Sequence, residues 1–212
     1  MKKVTIYMVR HGETLFNVLH RHQGWCDSPL TQKGIEQAKT LRYGFQDIPI
    51  NKAYSSTSER AIDTARLIIE GRDIPLTSLK ELKELYYGSQ EGMLRESQDE
   101  RLLTLIPQED EEQAAIRFTK SLNEIYEKAE DGDNILLVGH GFIFFLTYVY
   151  YLHIDIHTRF EKENWDRIPV HQVRNGSVFK LEIKDGVWNY TETDNVEYLE
   201  KGKQYVQNCE EL

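Results

Sequence analysis

The first seventy residues alternate between short apolar runs and amphipathic stretches. Lys3 to Val9 is apolar and rich in β-branched residues, which predicts a strand. Arg10 to Leu30 reads as loop, punctuated by Gly12, Gly24 and Pro29. Thr31 then offers an N-cap to a helix with Ile35, Ala38 and Leu41 on one face and Glu36 and Lys39 outside. Lys52 to Ser55 predicts a second strand, and Ala61, Ala65, Leu67 and Ile68 mark a second helix. Strand, helix, strand, helix in that order predicts an α/β fold, a three-layer α/β/α sandwich around a mostly parallel central sheet.

From Met93 to Gln113 the chain turns polar, which predicts a surface excursion carrying one short helix at Leu102-Leu103-Leu105-Ile106, ended by Pro107. A helix over about Glu111 to Lys128 returns the chain to a buried strand, Asn134-Ile135-Leu136-Leu137-Val138. Val170 to Thr193 holds alternating runs, His171 starting one of them, with a turn at Lys184-Asp185-Gly186. These predict two or three strands closing one sheet edge. The polar tail after Asn195 reads as peripheral. No repeat, low-complexity tract or Pro/Gly/Ser linker divides the 212 residues, so residues 1–212 are read as one domain with the excursion at about 93–113.

Ile135 to Ile154 is long enough to cross a bilayer and carries no Asp, Glu, Lys or Arg. Gly139-His140-Gly141 splits it, however, and a buried strand followed by an aromatic-rich helix from Phe142 explains the same residues without a membrane. The apolar stretch behind Met1-Lys2-Lys3 is too short for a signal peptide. A formal net charge of −9 argues against a general nucleic-acid binder, while leaving room for a small anionic ligand in a locally positive pocket. Only Cys26 and Cys209 occur, so no disulfide framework is expected, and reduced thiols in a cytoplasmic protein is the plain reading. His20 and His22 lie in a loop, and His153 and His157 are four apart without a companion Cys or carboxylate pair, so no metal site is expected. Glu111-Glu112 and Glu210-Glu211 read as solvated surface.

Candidate chemistry begins at Arg10-His11-Gly12, directly after the first strand, where open α/β sheets bind ligands. A neutral imidazole nitrogen can attack phosphorus, and an adjacent guanidinium can hold phosphoryl oxygens through paired hydrogen bonds. Gly12 removes a side chain where the backbone approaches a ligand. Alone, the tripeptide is equally a polar loop at a strand end. Four further segments accompany it: Asn17 with Gln23 to Thr31; Ser55-Ser56-Thr57-Ser58-Glu59-Arg60 continuing to Ala65; Leu82-Lys83-Glu84-Leu85-Tyr86-Tyr87-Gly88 continuing to Gly92; and Val138-Gly139-His140-Gly141.

In order and spacing these segments resemble the histidine phosphatase superfamily, the phosphoglycerate-mutase-like proteins. The resemblance extends from about Val4 to Ile143 and resumes weakly at Asn175-Gly176-Ser177-Val178. It implies His11 as the phosphorylated nucleophile and Arg10, Arg60 and His140 as three positive groups of the phosphate pocket. It implies Asn17 as a hydrogen-bond partner of a phosphoryl oxygen, Gln23-Gly24 as a loop over the substrate, and Glu84 as the general acid and base. Each has a plainer rival: Arg60 in a surface ion pair with Glu59 or Asp63, His140 as a satisfied core histidine, and Glu81 in place of Glu84.

The resemblance implies a metal-independent enzyme acting on small phosphorylated metabolites with no cofactor, through a phosphohistidine intermediate. Mutases of this family carry paired arginines after the acid motif, whereas Arg95, Arg101 and Arg117 stand singly among acids here. A sparse basic lid favours hydrolysis over mutase chemistry. An inactive phosphate-binding regulator is the remaining alternative, opposed by the presence of both His11 and Glu84. Neither substrate identity nor oligomeric state has a readable code.

Overall fold

The computed structural model describes residues 1–97, 101 and 105–210. Its six strands are β1 (Lys3–Arg10), β2 (Lys52–Ser56), β3 (Leu76–Leu79), β4 (Asn134–Gly139), β5 (Val178–Lys184) and β6 (Val187–Asn195). They form one sheet in the order β3-β2-β4-β1-β5-β6. The first four pair in parallel, while β5 and β6 add an antiparallel edge. The described helices are α1 (Leu15–Val18), α2 (Gln32–Gly44), α3 (Glu59–Ile69), α4 (Glu111–Lys128), α5 (Gly141–Tyr151), α6 (Lys162–Arg167) and α7 (Glu197–Glu210). The architecture is the α/β fold with a mostly parallel sheet that the residue pattern predicts.

Side-chain alternation on β1 builds two cores. Val4, Ile6 and Met8 face a cluster with Phe118 and Leu122 of α4 and Phe144 of α5, while Tyr7 and Val9 face Leu41, Phe45, Ala65 and Ile68 of α2 and α3. Strands apolar on both faces are what helices on both sides require. Thr31 caps α2 by accepting the N–H of Gly34, and Asp110 caps α4 by accepting that of Gln113. The Ile135–Ile154 run divides into β4, α5 and a short connection. No described helix is long and apolar enough to cross a membrane.

Four expectations are corrected. The tail after Asn195 is a helix, α7, packed on α2 rather than peripheral. A Cβ on Gly44 would lie 2.0 Å from the Tyr198 carbonyl oxygen and one on Gly202 2.0 Å from that of Thr40, so the two backbones meet through paired glycines. Val170 to Val173 and His171 form an irregular connection, not a strand, leaving two edge strands. Glu111 is not free surface, because its carboxylate pairs at 2.6 Å with the buried Arg159. Arg10 to Leu30 contains one turn of helix, α1, capped by Thr14. The helix expected at Leu102-Leu103-Leu105-Ile106 falls mainly outside the described residues.

Candidate active site

Parallel pairing of β1 with β4 places Arg10 opposite Gly139, so the residues leaving both strands, His11 and His140, emerge side by side. The backbone N–H of His11 donates to the Gly139 carbonyl at 3.0 Å, and the imidazole centroids lie 5.4 Å apart. β2 ends beside them at Ser56, whose Oγ is 2.7 Å from Nε2 of His140. Arg60, in the first turn of α3, reaches back to the same strand ends. Separate sheet elements thus converge on one cleft of about 380 Å3.

His11 is buried, and its Nδ1 lies 2.7 Å from the Gly12 carbonyl oxygen. A carbonyl only accepts, so Nδ1 carries the hydrogen and Nε2 keeps its lone pair. Burial, then Arg60 and Arg10, hold the imidazole well below the ordinary histidine pKa, keeping it neutral. His140 is fixed similarly. Nη2 of Arg60 donates to its Nδ1 at 3.0 Å, which puts the hydrogen on Nε2 facing Ser56. Burial, then Arg60, lower its pKa too, so the structure supplies two guanidinium cations and a neutral imidazole where three positive groups were expected.

The arginines are themselves buried. Arg60 is 1% exposed; its Nη1 donates to Asp27 Oδ1 at 2.7 Å and to the Cys26 carbonyl at 2.9 Å, and its Nη2 also donates to the Gly24 carbonyl at 2.8 Å. Its ion-pair partner is therefore Asp27 of the loop, not Glu59 or Asp63. Arg10 donates from Nη1 to the Val173 carbonyl, and burial lowers its pKa to about 10, which leaves it charged at neutral pH. The Nε–H groups of both arginines are buried without partners. Two orphaned cationic donors beside a neutral imidazole form a corner suited to an anionic group.

Glu84 lines the same cleft, 8% exposed, whereas Glu81 is exposed. Its Oε1 accepts N–H groups of Leu85 and Ile143, and Oε2 that of Phe142, which pins it to the N-terminus of α5. Burial raises its pKa above the usual carboxylate range, and the backbone hydrogen bonds restrain that rise. A carboxyl held this way can cycle a proton nearer neutral pH than an exposed one.

Asn17, Gln23 and Gly24 also line the cleft. Asn17 Oδ1 accepts from Thr14 N–H at 3.1 Å and from Asn175 Nδ2 at 3.2 Å, while Gln23 is held between Thr14 and Ser28. Gly12 is required for another reason than ligand approach. A Cβ there would lie 2.4 Å from the Gly34 carbonyl oxygen, so the glycine lets the loop press on α2.

Several supporting residues escaped sequence reasoning. Asn175 donates to the His11 carbonyl at 2.9 Å, and Thr64 accepts the Gly12 N–H at 3.1 Å. Glu91 ties the two loops together, accepting N–H groups of Trp25, Cys26 and Tyr87. Arg117 of α4 donates to the carbonyls of Glu81, Lys83 and Glu84 and to both carboxylate oxygens of Glu109. Asn175, Thr64 and Glu91 lie in the matching segments, and Arg117 was noted as a lone cation, but none was given a role. They bind backbone or cross between segments, which spacing does not encode.

The fold and strand-end cluster define an α/β protein with a cationic, histidine-bearing ligand corner. The chain belongs to the histidine phosphatase superfamily, branch 1, whose profile matches residues 6–196. It is 48% identical over 86 residues to the adenosylcobalamin/alpha-ribazole phosphatase of Salmonella typhimurium, covering 41% of this chain and 43% of that one. It is 33% identical over 156 residues to a 2,3-bisphosphoglycerate-dependent phosphoglycerate mutase 2 of Gloeobacter violaceus, covering 64% and 70%. The match to the first relative thus spans less than half of its length. A crystal structure of phosphoglycerate mutase from Bacillus anthracis superposes with a TM-score of 0.77 at 30% identity, covering 95% of this chain and 97% of that one.

Proposed function

We propose that the chain is a phosphomonoester hydrolase for small phosphorylated metabolites, working through phosphohistidine on His11 without a metal. The observation that carries this reading is one cleft lined by a neutral His11, the buried cations Arg10 and Arg60, and Glu84, whose carboxyl is raised by burial. Arg10 and Arg60 hold the phosphoryl oxygens, His140 braces Arg60 through its Nδ1, and Asn17, Gln23 and Gly24 line the approach.

His11 Nε2 attacks phosphorus; the P–O bond breaks, and the departing oxygen takes the proton of protonated Glu84. Water then attacks the phosphohistidine while ionised Glu84 accepts its proton. The P–N bond breaks, the electron pair returns to Nε2, and inorganic phosphate leaves. His11→Ala should reduce phosphate release from p-nitrophenyl phosphate to background, and a variant retaining the wild-type rate removes His11 from this role.

A mutase reading is favoured by the mutases among the relatives. A mutase must also grip a second phosphate, and beyond Arg10 and Arg60 the described cleft lining adds only the single cation Arg95. Hydrolysis is therefore the reading adopted, and phosphate release against phosphoglycerate exchange separates the two. A cytoplasmic setting is part of the proposal, supported by the unpaired Cys26 and Cys209. We read residues 1–212 as one functional domain, whose polar excursion contributes Arg95 to the cleft.

A further inference from the structure

Away from the phosphate corner the cleft changes character. One wall is built from Phe142 and Phe145 of α5, Trp165 of α6, and Phe160 between those helices. Phe142 and Phe145 stack with planes 17° apart, Trp165 lies 5.4 Å from Phe160 and 6.5 Å from Phe145, and Trp165 meets the His171 ring edge-on at 4.0 Å. The same cleft is also lined by a second ring pair, His22 against Tyr87 at 4.6 Å.

This wall is joined to the phosphate corner at both ends. The backbone N–H of Phe142 holds Glu84, Gly141 packs against the Arg10 side chain, and the Val173 carbonyl accepts from Arg10. It is braced from outside as well, since the buried Arg159 guanidinium lies 4.4 Å from the Phe160 ring and pairs with Glu111. Yet Phe160 remains 65% exposed at the rim. A small polar leaving group such as a glycerate would leave these faces against water and would find only Arg95 as an extra cation. A flat ring entering the cleft would cover these aromatic faces.

Resting on the hydrolase reading above, we propose that the preferred substrate is a phosphomonoester whose alcohol carries a planar aromatic ring. The ring lies against the Phe142–Trp165 wall and the His22–Tyr87 pair, while the phosphate enters the Arg10–His11–Arg60 corner.

The test uses the full chain and two substrates with matched leaving alcohols, 3-phenylpropyl phosphate and propyl phosphate, so acid catalysis is equally demanded of both. 3-Phosphoglycerate and p-nitrophenyl phosphate complete the panel. The expected result is a kcat/KM about tenfold to a hundredfold higher for the phenylpropyl ester, the range an apolar slot and a stacked ring provide. Trp165→Ala should collapse that ratio toward unity, mainly through KM, and Trp165→Phe should restore most of it. Phe160→Ser, at an exposed position that folding does not depend on, should lower the same ratio. A wild-type ratio near one, a preference for 3-phosphoglycerate, or a ratio untouched by both Trp165→Ala and Phe160→Ser overturns the aromatic specificity while leaving hydrolysis standing. No phosphate release from any of the four overturns both.

Discussion

Arg117 supplies a sharp test, because it does not line the cleft and yet holds the backbone of the segment that carries Glu84. Its guanidinium donates to three successive-turn carbonyls, of Glu81, Lys83 and Glu84, and forms a two-bond pair with Glu109 at 2.8 Å each. Arg117→Ala frees that segment and leaves Glu109 without its cation. Breaking a buried pair costs about 3–5 kcal/mol; here both partners are about one-fifth exposed, so about 2 kcal/mol is the reasonable figure. That lowers Tm by about 4–8 °C for a chain of this size. The effect on catalysis should be selective. An acid displaced by about 1 Å costs about a hundredfold where its proton is needed. Alkyl phosphates need it, whereas p-nitrophenolate leaves without it. The measurement is kcat/KM for propyl and p-nitrophenyl phosphates at a temperature where melting curves show the variant folded. A much larger loss on the alkyl ester, partly recovered in Arg117→Lys, is expected. Equal losses on both esters would refute a positioning role, as would full alkyl activity in Arg117→Ala.

The remaining expectations concern the corner itself. Glu84→Gln must place an amide N–H among N–H donors from Leu85, Phe142 and Ile143, so alkyl phosphate turnover should fall about 10²–10⁴-fold and aryl turnover much less; equal losses on both classes exclude it as the acid. Asp27→Ala removes the carboxylate paired with Arg60 and should lower kcat/KM about tenfold and destabilise the fold by about 1–3 kcal/mol, read from urea melts; an unchanged midpoint and rate would deny the pair a role. Stability should also depend on pH through His11 and His140. Both have folded-state pKa values well below the unfolded one, so the unfolded chain binds more protons below about pH 6.5. Their contribution is fully present above that pH and is lost as pH falls, by about 1.4 kcal/mol per pH unit for each histidine. His11→Gln should flatten the slope of unfolding free energy between pH 6.5 and 5.5, and an unaltered slope would show that His11 is not held neutral by the fold.

Why some of this was legible in the residues and some was not follows from which interactions leave a periodic trace. Alternation on Lys3–Val9 and the apolar run at Ile135–Val138 are burial patterns, and burial on two faces leaves little freedom in how such strands are used. Thr31 announces a helix start because capping chemistry is local. The tail was misjudged because α7 binds α2 through Gly44, Gly202 and Leu199, a backbone approach that lowers rather than raises apparent hydrophobicity. His171 was misplaced because Val170 and Val173 are buried against the first core without being paired to a strand. At the site, His11, Arg60, Glu84 and His140 could be nominated because four segments resemble one family in order and spacing, with His11 and His140 also placed at strand ends. Their electrostatics could not. The neutrality of His140 depends on burial and then on the Arg60 charge, its tautomer on an Arg60 N–H brought from another segment, and the raised Glu84 on burial. The same holds for the aromatic wall. Phe142 and Phe145 look like core positions of an apolar helix, and only the return of Phe160 and Trp165 over them converts one edge of that helix into a lining. The phosphate corner is thus a property of strand ends, which sequence order nearly dictates, whereas we propose that substrate choice arises from a connection, residues 152–173, held by core residues such as Ile156 and Ile168, by the buried Arg159–Glu111 pair and by Arg10 on Val173. Changing that connection should alter which alcohol is accepted before it alters the chemistry at phosphorus.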